Sequence, residues 1–99
     1  MEFERQRDTV LAHVTGELDH CSAAAIRREL DRAIEEPGVR RLVLDLQDMT
    51  FMDSSGIGVI LGRYRAMRLR GGTVAVKHMR PQVEKVFRLS GMGQVIEIL

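Results

Sequence analysis

The segment FMDSSGIGVILGRY, residues 51–64, begins with residues that start a helix and continues with apolar residues at helical spacing. Asp53, Ser54 and Ser55 are of the types that cap helices, because their side chains accept hydrogen bonds from the unpaired N–H groups of the first turn. The apolar stripe that follows consists of Ile57, Ile60, Leu61, Tyr64 and Met67. A helix is therefore predicted to begin here and to end at the Gly71-Gly72 pair.

Two glycines in the first turn of this helix require an explanation. Gly56 and Gly58 are poor helix formers, and each costs roughly 1 kcal/mol relative to alanine. Glycines at this point would let the turn press against the sheet, or would let another molecule reach the backbone beside an exposed hydroxyl. The residues alone leave both explanations open.

The rest of the chain alternates short apolar runs with amphipathic ones, in the order β-β-α-β-α-β-α-β. Strands are predicted over 2–7, 9–15, 42–46, 73–76 and 95–99, and two further helices over 22–36 and from Pro81 to Gly91. Three strand-helix-strand crossovers imply a sheet that is largely parallel. We therefore predict an α/β protein, one domain over 1–99 with a mixed, mostly parallel sheet flanked by helices.

Binding sites in open sheets of this kind gather at the carboxyl ends of the strands, where loops lead into helices. Two segments fall there, residues 15–20 before the first helix and residues 52–58 at the start of the second. Glu17, Asp19 and His20 lie in the first segment, where a solvated turn and a helix cap would also account for them.

The composition argues against several classes of protein. The 99 residues carry a formal charge of +1, so no overall field attracts nucleic acid or an anionic membrane. Cys21 is the only cysteine, which excludes an internal disulfide and fits a reducing compartment, and we expect it to be a small buried thiol. No signal peptide is recognisable, and no apolar run approaches the roughly 20 residues that span a bilayer. The cytoplasm is the predicted location, and no cofactor is predicted.

Other kinds of site fit the same residues less well. A serine hydrolase would need G-x-S-x-G, but Met52 and Asp53 stand where the first glycine should be. A nucleotide- or phosphate-binding module that uses the Gly56–Gly58 turn remains an alternative, although its dinucleotide and P-loop patterns are incomplete. Metal ligands are not clustered. The arginines Arg63, Arg65, Arg68 and Arg70 are predicted to complement the helix dipole and to keep the surface solvated.

Residues 51–64 closely resemble the second-helix motif of anti-sigma factor antagonists of the STAS domain family, and residues 15–20 resemble another loop of that family. The order of strands and helices agrees from about residue 3 to the end. The resemblance implies a protein that is not an enzyme and that regulates sporulation-type transcription. Its partner would be an anti-sigma factor with serine kinase activity, which carries the ATP or ADP and which releases a sigma factor when the unphosphorylated antagonist binds.

The same resemblance implies roles for individual residues. The phosphoacceptor is the second serine of the pair, Ser55, with Ser54 as the fallback; phosphorylation would abolish binding, and a serine phosphatase would reverse it. The residues expected to contact the partner are Asp53, Ser54, Gly56, Ile57, Gly58 and Gly62, together with Glu17, Asp19 and His20. Ile57 is equally expected in the core.

The end of the chain departs from the family. Resembling proteins continue past the last strand into a C-terminal helix, whereas this chain stops at Leu99. The sheet is therefore expected to be less covered, and a monomer is predicted, with dimerisation through exposed apolar surface as the alternative.

Overall fold

The computed structural model describes all 99 residues. The strands are β1 (Glu2–Gln6), β2 (Thr9–His13), β3 (Gly16–Leu18), β4 (Arg41–Asp45), β5 (Met49–Met52), β6 (Thr73–Lys77) and β7 (Glu97–Ile98). The helices are α1 (Ala23–Ile34), α2 (Ser54–Leu69) and α3 (Pro81–Leu89), and a 3-10 helix spans Met92–Gln94.

Five strands form the main sheet in the order β1-β2-β4-β6-β7. β1 pairs antiparallel with β2, and every other neighbouring pair is parallel. The parallel pairs arise because each helix carries the chain back along the sheet before the next strand begins. The predicted fold class, an α/β protein with a mostly parallel sheet and three helices, is confirmed.

The core lies between the helices and one face of the main sheet. Alternate residues of the central strands, including Ala12, Leu42 and Val76, belong to a cluster of 22 buried side chains to which all three α-helices contribute. Val43 and Ala75 occupy intervening positions of these strands. They pair with each other and do not belong to the cluster. Successive side chains of a strand point to opposite faces, so the helices are held on one side of the sheet.

Two short strands, β3 and β5, are absent from the sequence-based prediction. They form a separate parallel two-stranded sheet. Strands of three and four residues are too short to give a period-two pattern, and their pairing depends on a contact between distant segments. Both lie beside the start of α2, so they decide how the neighbouring loops are held.

The end of the chain also differs from the prediction. The strand predicted over 95–99 is reduced to Glu97–Ile98, and the 3-10 helix precedes it. Gly91 makes this turn possible, because its φ of 84° lies in the left-handed region that favours glycine. α3 begins with Pro81, as the sequence predicted, and it has no side-chain cap.

The helices of this chain do not have the length and apolar character that crossing a membrane requires. No three side chains of His, Cys, Asp or Glu are grouped so that they could hold a metal ion.

Candidate functional site

The small sheet joins the two segments that the sequence singled out. Leu18 of β3 pairs with Met52 of β5, and Glu17 pairs with Phe51. Leu18 and Met52 are buried, whereas Glu17 and Phe51 are exposed. The N–H of Asp53 also donates to the carbonyl of Leu18 at 3.4 Å. Residues 15–20 and 52–58 are therefore neighbours, as predicted, and the small sheet fixes their relative position.

Asp53 caps α2. Its backbone is extended, and its Oδ1 accepts hydrogen bonds from the N–H groups of Ser55 at 2.9 Å and Gly56 at 3.4 Å. Two of the unpaired donors of the first turn are thereby satisfied by one carboxylate oxygen. The capping interpretation of Asp53 is confirmed, and its contact with a partner stays a prediction.

Removal of this cap should destabilise the fold measurably. Asp53→Ala is expected to lower the free energy of unfolding by about 1 kcal/mol, because a lost helix cap typically costs roughly 0.5–2 kcal/mol. Asp53→Asn is the matched control, since asparagine keeps an acceptor oxygen and should retain most of the stability. Chemical denaturation of the two variants measures the difference, and equal stability of both would show that the hydrogen bonds of Asp53 contribute nothing.

The two serines at the start of α2 differ in position. Ser54 is exposed, whereas Ser55 is partly exposed and lines a cleft between α1 and α2. The Ser55 backbone N–H donates to Asp53, but the Ser55 hydroxyl makes no hydrogen bond to another protein group. That hydroxyl is therefore accessible and free to react, although exposure alone does not choose between the two serines.

The glycines of α2 have different surroundings. A Cβ at Gly56 would lie 2.5 Å from Cγ of Met52 and 2.9 Å from the carbonyl oxygen of Leu18, so the helix presses directly against the small sheet. Gly58 and Gly62 would meet nothing within 4 Å, and both line the cleft. At Gly56, the glycine therefore lets the first turn of the helix press against a sheet. At Gly58, the glycine borders open space. A phosphate held by both glycines is disfavoured, because the side of Gly56 is already occupied.

Asp19 organises the neighbouring loop. Its Oδ1 accepts hydrogen bonds from the N–H groups of Cys21 at 2.9 Å and Ser22 at 3.0 Å, and the Ser22 bond is the main reason that the pKa of Asp19 lies below its usual value. Glu17 and His20 remain exposed beside it. Cys21 is exposed as well, so the expectation of a buried thiol is wrong: the turn into α1 holds its backbone at the surface.

The cleft between α1 and α2 has a volume of about 480 Å³. Its α2 side presents Ser55, Gly58, Val59, Gly62 and Arg63, and its α1 side presents Ala23, Ala24 and Arg27, with His20 beside them. Small residues on both helices keep the cleft open. One wall carries the free hydroxyl of Ser55, and the cleft is also lined by two arginines.

Arg63 is not a surface arginine, so the prediction that it is solvated is wrong. Only 8% of the residue is exposed, and its Nε lies 3.1 Å from Oδ1 of Asp31 on α1. Burial lowers the pKa of its guanidinium, and the nearby Asp31 carboxylate opposes that shift. Arg65, Arg68 and Arg70 are exposed, as predicted. The difference arises because position 63 of the helix faces α1.

The histidines do not provide a general base for Ser55. Nδ1 of His13 and Nδ1 of His78 lie 3.2 Å and 3.1 Å from the two carboxylate oxygens of Asp45. The hydrogen bond to Glu4 is the main cause that raises the pKa of His13, and neither His13 nor His78 lines the cleft with Ser55. His20 lines the cleft, but its ring contacts the thiol of Cys21 rather than a carboxylate. A nucleophile, base and orienting acid are therefore not assembled.

Sequence reasoning missed three residues that the fold brings to this region. Arg27 and Arg63 come from different helices and line one cleft, and Phe51 is an exposed aromatic next to Glu17. The spacing of Arg27 and Asp31, four residues apart, signals an ion pair along α1. No pattern within one helix could indicate that Arg63 would join it.

Comparison with known proteins gives a consistent result along the chain. The family model described as the STAS domain matches residues 1–99. The chain is 38% identical over 98 residues to the anti-sigma F factor antagonist of Paenibacillus polymyxa, an alignment that covers 99% of this chain and 84% of that protein.

Two solved structures extend the likeness to three dimensions. The anti-sigma factor antagonist SpoIIAA in its unphosphorylated form has a TM-score of 0.85 at 34% identity, covering 99% of this chain and 86% of that one. The Bacillus cell fate determinant SpoIIAA in its phosphorylated form has a TM-score of 0.75 at 33% identity, covering 99% of this chain and 89% of that one.

Proposed function

The chain belongs to the STAS domain family, and from this premise we propose that it is an anti-sigma factor antagonist whose partner binding is controlled by phosphorylation of Ser55. One observation supports the proposal above all. The Ser55 hydroxyl is free of intramolecular hydrogen bonds and lies on an accessible surface at the start of α2. The similar protein SpoIIAA is known in both phosphorylated and unphosphorylated forms, which supports a covalent switch.

The docking surface for the partner consists of the start of α2 and the loop beside it. Its members are Asp53, Ser54, Gly58 and Gly62 on α2, with Glu17, Asp19 and His20 from the segment before α1. Gly56 acts indirectly, because it allows α2 to lie close to β3 and β5. Ile57 is partly buried and packs against the core, so it supports this surface from below. Exposed Phe51 extends the surface with an aromatic side chain of the kind enriched in interfaces.

A phosphate on Ser55 would act through its charge. It adds about −1.5 to −2 charges at neutral pH together with three strong acceptor oxygens. The positive end of the α2 dipole stabilises this charge, so the fold should persist. A partner that had packed against the bare hydroxyl would have to desolvate a dianion beside Asp53, which is costly. Binding is therefore lost without any large conformational change.

The proposed partner is the one that family membership supports. It is an anti-sigma factor that is also a serine kinase and carries the ATP or ADP, and a serine phosphatase restores the unmodified antagonist. The chain regulates rather than catalyses, and it acts in the cytoplasm in sporulation-type transcription. The formal charge of +1 supports action through proteins and not through direct contact with nucleic acid or membrane.

Phosphorylation by the partner is the direct test. The chain is incubated with its anti-sigma factor kinase and ATP, and the modified peptide is mapped by mass spectrometry. We expect one phosphate per chain, on Ser55, with full incorporation in Ser54→Ala and none in Ser55→Ala. Phosphate on Ser54, or continued incorporation in Ser55→Ala, would contradict the assignment.

A further inference from the structure

The α1–α2 cleft carries more positive than negative charge. Arg27 and Arg63 share a single carboxylate, Asp31, with Nε–O distances of 3.7 Å and 3.1 Å. His20 adds a third nitrogen-bearing side chain to the cleft. We propose that this cleft is an internal receptor for the phosphate of Ser55, which turns into it after modification and is held there by Arg27 and Arg63. The inference rests on the proposed function.

The first support is the state of Arg63. Its side chain is only 10% exposed, and it lines the cleft. Nη1 has no hydrogen-bond acceptor, and Nε has none with acceptable geometry although Asp31 is close. Buried donors without acceptors are costly, and a guanidinium is suited to phosphate oxygens because its planar donors match their geometry. The cleft thus contains a cation whose donors the protein leaves partly unused.

The second support is that three N–H groups at the start of α2 are occupied. The N–H groups of Ser55 and Gly56 donate to the Asp53 carboxylate, and the N–H of Ile57 donates to the Asp53 carbonyl. A phosphate on Ser55 cannot use these donors without displacing Asp53, whose charge repels it. The cationic groups that line the cleft with Ser55 are Arg27 and Arg63, and the imidazole of His20 lies beside them.

The third support is the shape of the cleft. The open space at Gly58 and Gly62 leaves two positions on the α2 wall without a side chain, and Val59 is the only other α2 residue between Ser55 and Arg63 that lines the cleft. Ser55 and Arg63 are eight residues apart, about 12 Å along the helix axis, and a long helical side chain leans toward the N-terminus and so shortens this gap. Arg27 comes from the facing helix and its side chain is 65% exposed, so it can turn toward the phosphate. A volume of about 480 Å³ accommodates the group.

The test measures the phosphate itself and needs no kinase. Phosphoserine is inserted at position 55 during translation, and its second ionisation is followed by ³¹P NMR. This pKa is ordinarily about 6, and cations in the cleft should lower it by about one pH unit. Arg27→Gln should reverse a large part of that shift. The matched control is Arg28→Gln, since Arg28 is exposed, adjacent on α1 and outside the cleft, and the two variants have equal net charge.

A second measurement reports on Arg63 without replacing it. The Nε–H resonance of Arg63 should move when position 55 carries phosphoserine instead of serine, whereas that of exposed Arg65 should not. A phosphate pKa near 6 that is the same in wild type, Arg27→Gln and Arg28→Gln, with an unmoved Arg63 signal, would overturn the inference. Because the phosphoserine is inserted directly, that result would leave the kinase reaction at Ser55 untouched, and failure of the kinase reaction would not alter the titration.

Discussion

Ser55→Asp is expected to weaken binding of the chain to its anti-sigma factor by at least about a hundredfold, equivalent to roughly 2.7 kcal/mol. The aspartate places a carboxylate where, in the proposed complex, the partner would meet an uncharged hydroxyl, and it does so beside Asp53 at the start of α2. A charge that is desolvated at an interface without an opposite charge readily costs this much. Ser55→Ala should bind within a few-fold of wild type, because the Ser55 hydroxyl makes no hydrogen bond within the chain.

Isothermal titration with the purified partner measures this difference. Gln82→Glu is the control for added charge, since Gln82 is exposed and, like Ser55, is the second residue of its helix. It places one negative charge at the start of α3, away from the proposed docking surface, and should leave binding unchanged. Binding of Ser55→Asp at the wild-type affinity would refute control by charge at this position.

Gly56→Ala and Gly58→Ala are expected to change stability in opposite directions. The new methyl group at position 56 would overlap Met52 and the backbone of Leu18, and overpacking of this kind costs about 1–3 kcal/mol. The methyl group at position 58 meets nothing within 4 Å, so the higher helix propensity of alanine should stabilise the chain by up to about 1 kcal/mol. The two variants differ only in where one methyl group is added to the same helix.

Urea denaturation measures the free energy of unfolding of both variants. Stability changes of the same sign would contradict the different surroundings assigned to the two glycines. Binding to the partner adds a second comparison. Gly58→Ala fills part of the open wall of the cleft, so a variant that is more stable yet binds the partner more weakly would assign Gly58 to the docking surface. Gly56→Ala is expected to affect binding only through the position of α2 against β3 and β5.

Much of the fold was accessible from local patterns. The succession of the five main strands and three helices along the chain follows from apolar periodicity, from capping residues such as Asp53 and from terminating glycines. These signals all act within a few residues of the chain. The crossover rule then makes most of the sheet parallel. β3 and β5 could not be predicted in this way, because they are short and are stabilised by pairing with each other.

The candidate site also has features that local sequence patterns predict and features that only long-range contacts determine. The residues of 51–64 specify a capped helix with free hydroxyls at its start, because a cap depends on the nearest N–H groups and on nothing remote. Folding assigns different roles to residues of one type: Gly56 lies against β3 while Gly58 borders open space, and Arg63 is buried against Asp31 while Arg65 is solvated. These differences depend on which face of α2 meets α1 and the small sheet, and such long-range contacts leave no periodic signal in the sequence.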